Sequence, residues 1–86
     1  MSTHILIVDD NKDIRNFLID FLKAKGFKCT STGSSEEALN LIEQNSIQVV
    51  VSDIILPGIS GLELAAKIKQ KHPSIDIIIM TGHGRE

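Results

Sequence analysis

Apolar positions along the chain alternate between short continuous runs and helical spacing. Residues His4–Val8 form an apolar, β-branched run that ends at Asp9. Ile14, Phe17, Leu18, Phe21 and Leu22 then recur at i, i+3, i+4, i+7 and i+8, which predicts an amphipathic helix closed by Gly26. Phe27–Ser31 is a weaker, more polar strand, expected at a sheet edge. Ser34 followed by Glu37 forms a capping box opening a second helix through Ala38, Leu39 and Ile42. Ile47–Ser52 is an unbroken apolar run, as expected of a central strand covered on both faces. Pro57-Gly58 marks a turn, Ser60 and Glu63 form a second capping box, and a third helix runs through Leu64, Ala65 and Ile68 until Pro73 forbids its continuation. Ile75–Met80 is the last strand.

Four strands alternating with three helices imply a parallel sheet with right-handed crossovers, an α/β fold. In such sheets ligands bind beyond the carboxyl ends of the strands. Asp9 and Asp10 follow the first strand, Asp53 follows the third and Thr81 follows the fourth. Each has an ordinary explanation alone: Asp10 or Asn11 can cap the next helix, Asp53 can be a loop carboxylate, and Thr81 a strand-end hydroxyl. Their common position at strand ends is what argues for an acidic pocket.

Composition narrows the classes. With 86 residues, 42% hydrophobic and 23% charged, the chain has the size and balance of one small globular domain. Three Phe without Trp or Tyr, and a net charge of −2, speak against binding nucleic acid. No run is long enough for a membrane span, and no signal peptide is expected. The lone Cys29 cannot form an internal disulfide, which suits a cytoplasmic location; it is expected to be a small apolar filler. His4, His72 and His83 lack metal-ligand spacing and are expected to be solvated or incidental. Lys67, Lys69 and Lys71 belong to a solvated helix face.

Three segments in order, Ile5-Leu6-Ile7-Val8-Asp9-Asp10-Asn11, Asp53-Ile54-Ile55-Leu56-Pro57-Gly58-Ile59-Ser60-Gly61 and Ile79-Met80-Thr81-Gly82-His83-Gly84, resemble the receiver domain of two-component response regulators. The resemblance runs the length of the chain. It implies a flavodoxin-like doubly wound sheet, with strand order 2-1-3-4 for the strands present. It also implies a phosphoryl group accepted from a histidine kinase onto Asp53. Mg²⁺ would be held by Asp10, Asp53 and the backbone carbonyl of Ile55, with Asp9 supporting through water. Thr81 matches the hydroxyl that contacts the phosphoryl oxygen. Three clustered carboxylates would repel one another without such an ion, which explains why the cluster is tolerable.

Family members continue past Thr81 with a fourth helix, a fifth strand carrying a phosphoryl-pairing lysine at its end, and a fifth helix. Residues 1–86 are therefore expected to be a shortened receiver lacking that lysine, with impaired phosphorylation. Ile77, Ile78, Ile79 and Met80 would lie on a sheet edge guarded only by Asp76, and one sheet face would be bared. A homodimer through the fourth strand and the bared face is the expected remedy. The other function class is a receiver-derived dimerisation module that is never phosphorylated. A phosphohydrolase using Asp9 as nucleophile is disfavoured, because the haloacid-dehalogenase pattern needs an aspartate where Asn11 stands. The chain is not expected to be an enzyme.

Overall fold

The computed structural model describes residues 3–80. Within them the order is β1 (His4–Val8), α1 (Lys12–Ala24), β2 (Lys28–Thr32), α2 (Ser35–Gln44), β3 (Val49–Asp53), α3 (Gly61–Lys71) and β4 (Asp76–Met80). All strand pairs are parallel and the sheet order is β2-β1-β3-β4. The expected doubly wound topology is thus present, with β2 and β4 as the outer strands among the described residues. β1 coincides with its apolar run, whereas β2, β3 and β4 start one or two residues later than expected: Ile47 and Ile75 are buried ahead of β3 and β4 as core contacts, not as ladder residues.

Helix boundaries follow capping chemistry. Asn11 caps α1, its side-chain oxygen accepting from the N–H groups of Asp13 (2.9 Å) and Ile14 (3.1 Å). Of the two residues that could have taken this role, Asn11 takes it and Asp10 is left exposed. Ser34 and Ser60 accept from the N–H groups of Glu37 and Glu63, both at 3.1 Å, as the capping boxes predict. Each such cap is worth about 1 kcal/mol. Gly26 follows the end of α1 at φ +96°, a left-handed conformation that favours glycine.

The two faces of the sheet differ sharply. Leu6, Val8 and Val50 pack with Ala38 and Ile42 of α2 and with Leu64 and Ile68 of α3, and Ile47, Leu56 and Ile75 close this core. Leu6, Val8, Val50 and Leu64 have no accessible surface. Burying each such side chain fully contributes about 1.5–3 kcal/mol. On the opposite face Ile5 and Ile7 are buried, but Val49 and Val51 are only half-buried. The expectation that β3 is covered on both faces therefore holds on one side only. Helix α1, which packs along β1 and β2, contains no buried residue. Phe17 remains 66% exposed, Phe21 50% and Ile78 54%. The two rings stack on each other, centroids 6.3 Å apart, and Lys25 lies over Phe21.

Two of the histidines expected to be solvated or incidental make side-chain hydrogen bonds, and one of them is buried. His4 is buried, and its Nε2 meets the Thr30 hydroxyl at 2.7 Å. Burial, with Lys28 nearby, pushes its pKa down. The reason for the difference is register: His4 lies opposite Lys28 on β2 and on the same face as Leu6, so it is carried into the core. His72 is half-buried and joins Lys71 on Glu43 Oε2, at 2.9 and 3.2 Å. The bond from His72, then that from Lys71, holds the Glu43 carboxyl below its usual range. Cys29 is half-buried and its thiol pKa is raised by burial, in keeping with a filler role. His83 lies outside the described residues.

Candidate functional site

Parallel pairing of β1 and β3 sets Val8 opposite Ser52, so the residues that follow, Asp9 and Asp53, meet at the same end of the sheet. A carboxylate oxygen from each of Asp9, Asp10 and Asp53 lies within 4.8 Å of the other two. Asp9 and Asp53 are 2% and 4% exposed, whereas Asp10 is open to solvent. The expected acidic pocket is therefore formed, with two buried members and one at its mouth.

Asp9 is held from several directions. Its N–H donates to the carbonyl of Thr32 at the end of β2 (3.1 Å), and its carbonyl accepts from Arg15 Nη1 (2.8 Å). Its Oδ1 accepts from the backbone N–H of Asn11 (2.9 Å). The single turn between β1 and α1 is thus tied to β2 on one side and to the first turn of α1 on the other. Thr32 takes part again through its hydroxyl, which bonds the Glu37 carboxylate and accepts from the Ser34 N–H.

Asp53 is fixed by the backbone behind it. The Gly61 N–H donates to the Ile54 carbonyl at 2.6 Å, and a Cβ on Gly61 would lie only 2.0 Å from the Asp53 carbonyl oxygen. Only glycine allows the start of α3 to approach β3 this closely. Ile55 stands two residues beyond Asp53 in the irregular segment before α3, with its side chain 64% exposed. Thr81 lies outside the described residues.

An all-oxygen donor set of clustered carboxylates suits a hard divalent cation such as Mg²⁺. Two buried carboxylates side by side are costly without a compensating positive charge. The residues present therefore fit such an ion.

Two contributors to this site were not singled out from sequence, Arg15 and Gly33. Arg15 falls at the end of the first turn of α1, where the helix dipole disfavours a cation. That misfit was the available signal. Gly33 leaves room for the guanidinium, since a Cβ there would be 3.1 Å from Arg15 Nη1.

Comparison with known proteins agrees with this geometry. The chain is 43% identical over 77 residues to the DNA-binding transcriptional regulator NtrC of Klebsiella pneumoniae, a match spanning 90% of this chain and 16% of the relative. It therefore spans about a sixth of that protein's length. Among solved structures, the response regulator TrrA of Thermotoga maritima in complex with Mg²⁺ and BeF superposes with a TM-score of 0.86 at 38% identity, covering 90% of this chain and 67% of the other. A chain from the complex of the histidine kinase ThkA with TrrA gives a TM-score of 0.89 at 36% identity, covering 96% and 72%. The family model of the response regulator receiver domain matches residues 5–86. No helix among the described residues is long and apolar enough to cross a membrane. Strand order, acidic pocket and whole-chain similarity converge on one conclusion: this chain belongs to the response regulator receiver domains, the signalling modules of two-component systems.

Proposed function

We propose that this chain is a phospho-acceptor whose Asp53 takes a phosphoryl group from a histidine kinase, with Mg²⁺ held by Asp10, Asp53 and the Ile55 carbonyl and with Asp9 supporting through water. The observation that carries this reading is the convergence of the Asp9, Asp10 and Asp53 oxygens within 4.8 Å at the carboxyl ends of β1 and β3. The solved complex of a related response regulator with Mg²⁺ and BeF supports it, as does that of a related regulator with a kinase.

Phosphoryl transfer asks the protein mainly for positioning and neutralisation of charge. A carboxylate oxygen of Asp53 bonds to phosphorus as the phosphorus–nitrogen bond of the phosphohistidine breaks, and the imidazole leaves with that electron pair. Bound Mg²⁺ supplies the charge neutralisation that lets a carboxylate approach an anionic phosphoryl group. Asp53 is held in place by the backbone of β3 and the close approach of Gly61. Exposed Asp10 leaves one side of the pocket open for the incoming group. Thr81 is assigned to the phosphoryl oxygen by family resemblance. The same resemblance assigns a phosphoryl-pairing lysine to the end of a fifth strand.

Intact-mass spectrometry after incubation with acetyl phosphate and Mg²⁺ tests the reading. A phosphoryl adduct on the wild type and none on Asp53→Ala is the expected result. No adduct on verified folded protein would leave a second reading, a receiver-derived dimerisation module. That reading is favoured by the exposed Phe17, Phe21 and Ile78 and by the outer edge of β4, which carries Asp76 as its one charged residue. On either reading we propose that the 86-residue chain pairs with a second copy through β4 and the sheet face that carries Ile78.

A further inference from the structure

We propose that Arg15 is a positioning residue for the acidic pocket: its guanidinium, seated against Gly33, holds the Asp9 carbonyl and so fixes the β1–α1 junction in the form that presents Asp9 and Asp10 to a divalent cation. The inference rests on reading the pocket as a metal site.

Arg15 stands where a helix does not favour a cation. A cation in the first turn of a helix faces the positive end of the dipole, and this part of α1 already has its capping residue in Asn11. Arg15 does not extend into solvent as a surface arginine would. It is half-buried, and its side chain turns back toward the helix start, as long helical side chains do. There Nη1 reaches the Asp9 carbonyl at 2.8 Å. Space for it comes from β2's exit, where Gly33 has no side chain; a Cβ would meet Nη1 at 3.1 Å. The same Cβ position lies 3.7 Å from the Asp9 carbonyl oxygen and 3.7 Å from the Asp10 Cα. Arg15 and Gly33 therefore enclose the peptide that joins the two acidic residues.

That peptide is the hinge of the site. The Asp9 N–H is held by Thr32 on β2, and its side chain by the Asn11 N–H. The bond from Arg15 restrains the carbonyl, the remaining polar group of this residue. Rotation of the Asp9–Asp10 peptide would swing the Asp10 carboxylate away from Asp53, because Asp10 is exposed and has little packing to hold it. Outer partners that orient metal ligands typically alter affinity by about 10–100-fold when removed. The guanidinium charge acts in the opposite sense, by repelling the ion, so charge and positioning must be separated.

Gly33→Ala separates them, since it keeps the charge and pushes the guanidinium a few tenths of an ångström off its seat. The measurement is Mn²⁺ binding to the 86-residue chain, followed by electron paramagnetic resonance at a salt concentration high enough to screen the charge, beside a urea melt without metal. We expect Arg15→Ala to weaken Mn²⁺ binding by about tenfold and Arg15→Lys to recover most of the loss. We expect Gly33→Ala to weaken binding in the wild-type background but not in Arg15→Ala, the non-additivity of two changes acting through one contact. Equal Mn²⁺ affinity of the wild type and Arg15→Ala would overturn the proposal, as would a Gly33→Ala effect unchanged by removing Arg15. Failure of the wild type itself to bind Mn²⁺ would instead overturn the metal-site reading, and this inference with it.

Discussion

Gly61 and Asp53 are in backbone contact so close that a methyl group on Gly61 would sit 2.0 Å from the Asp53 carbonyl oxygen and 2.9 Å from its carbonyl carbon. The first residue of α3 is thereby pressed against the last residue of β3. Neither neighbour can yield cheaply, because both atoms belong to the strand backbone. Gly61→Ala is expected to cost about 3 kcal/mol, the upper end of overpacking penalties, in a urea unfolding curve. It should also weaken divalent-ion binding, since the clash displaces the backbone that carries the Asp53 carboxylate.

His4 makes the fold sensitive to mild acid. Its folded-state pKa is depressed by burial and by Lys28, below the usual value of 6.5. Above pH 6.5 the imidazole is neutral in both states and stability is at its full value. As pH falls below 6.5 the unfolded chain binds the proton first, so stability declines until the folded-state pKa is passed. Stability measured by urea melts from pH 7.5 to 5.5 should fall for the wild type. It should be nearly flat over that interval for His4→Gln, whose amide can still bond the Thr30 hydroxyl.

The acidic pocket predicts a substitution whose effect changes sign with metal. Without divalent ions Asp10→Asn should be more stable than the wild type, because one of three clustered negative charges is gone. With Mg²⁺ at a hundredfold excess over Kd the wild type gains about 2.7 kcal/mol, a rise of roughly 10 °C or more in Tm for a domain this small. Asp10→Asn should gain much less. Thermal melts with EDTA and with Mg²⁺ give both comparisons.

Self-association can be tested on the exposed side of α1. Phe17 and Phe21 are exposed and stacked on α1, away from the core formed by α2 and α3. Phe17→Ser with Phe21→Ser should shift sedimentation equilibrium toward monomer at micromolar concentration. A wild type that already sediments as a folded monomer would sink the pairing proposal.

Much of this was legible in residue patterns, for identifiable reasons. Strand order and the meeting of Asp9 with Asp53 follow from parallel βα alternation, which leaves few topologies open. Both Ser caps were readable because the capping box is a local code. The buried role of His4 was hidden because it depends on which face of β1 the ladder with β2 turns inward. Arg15 and Gly33 were hidden for a similar reason. They meet across 18 residues, and only the folded exit of β2 brings the glycine to the guanidinium.

The parallel pairing of β1 with β3 also bears on kinetics. Each adjacent strand pair in this sheet is separated by at least one helix, so no hairpin can seed it and the non-local closures come at an entropic cost. Asp9 and Asp53 are 44 positions apart in sequence and meet only once β1 and β3 are in register. We predict that the carboxylate cluster, and any cation it holds, closes after the rate-limiting step of assembly. Interactions absent from the folding transition state act on the unfolding rate. Mg²⁺ is then a brake on opening, not a nucleus for closing, and its stabilisation should appear almost wholly in the unfolding limb of a chevron plot.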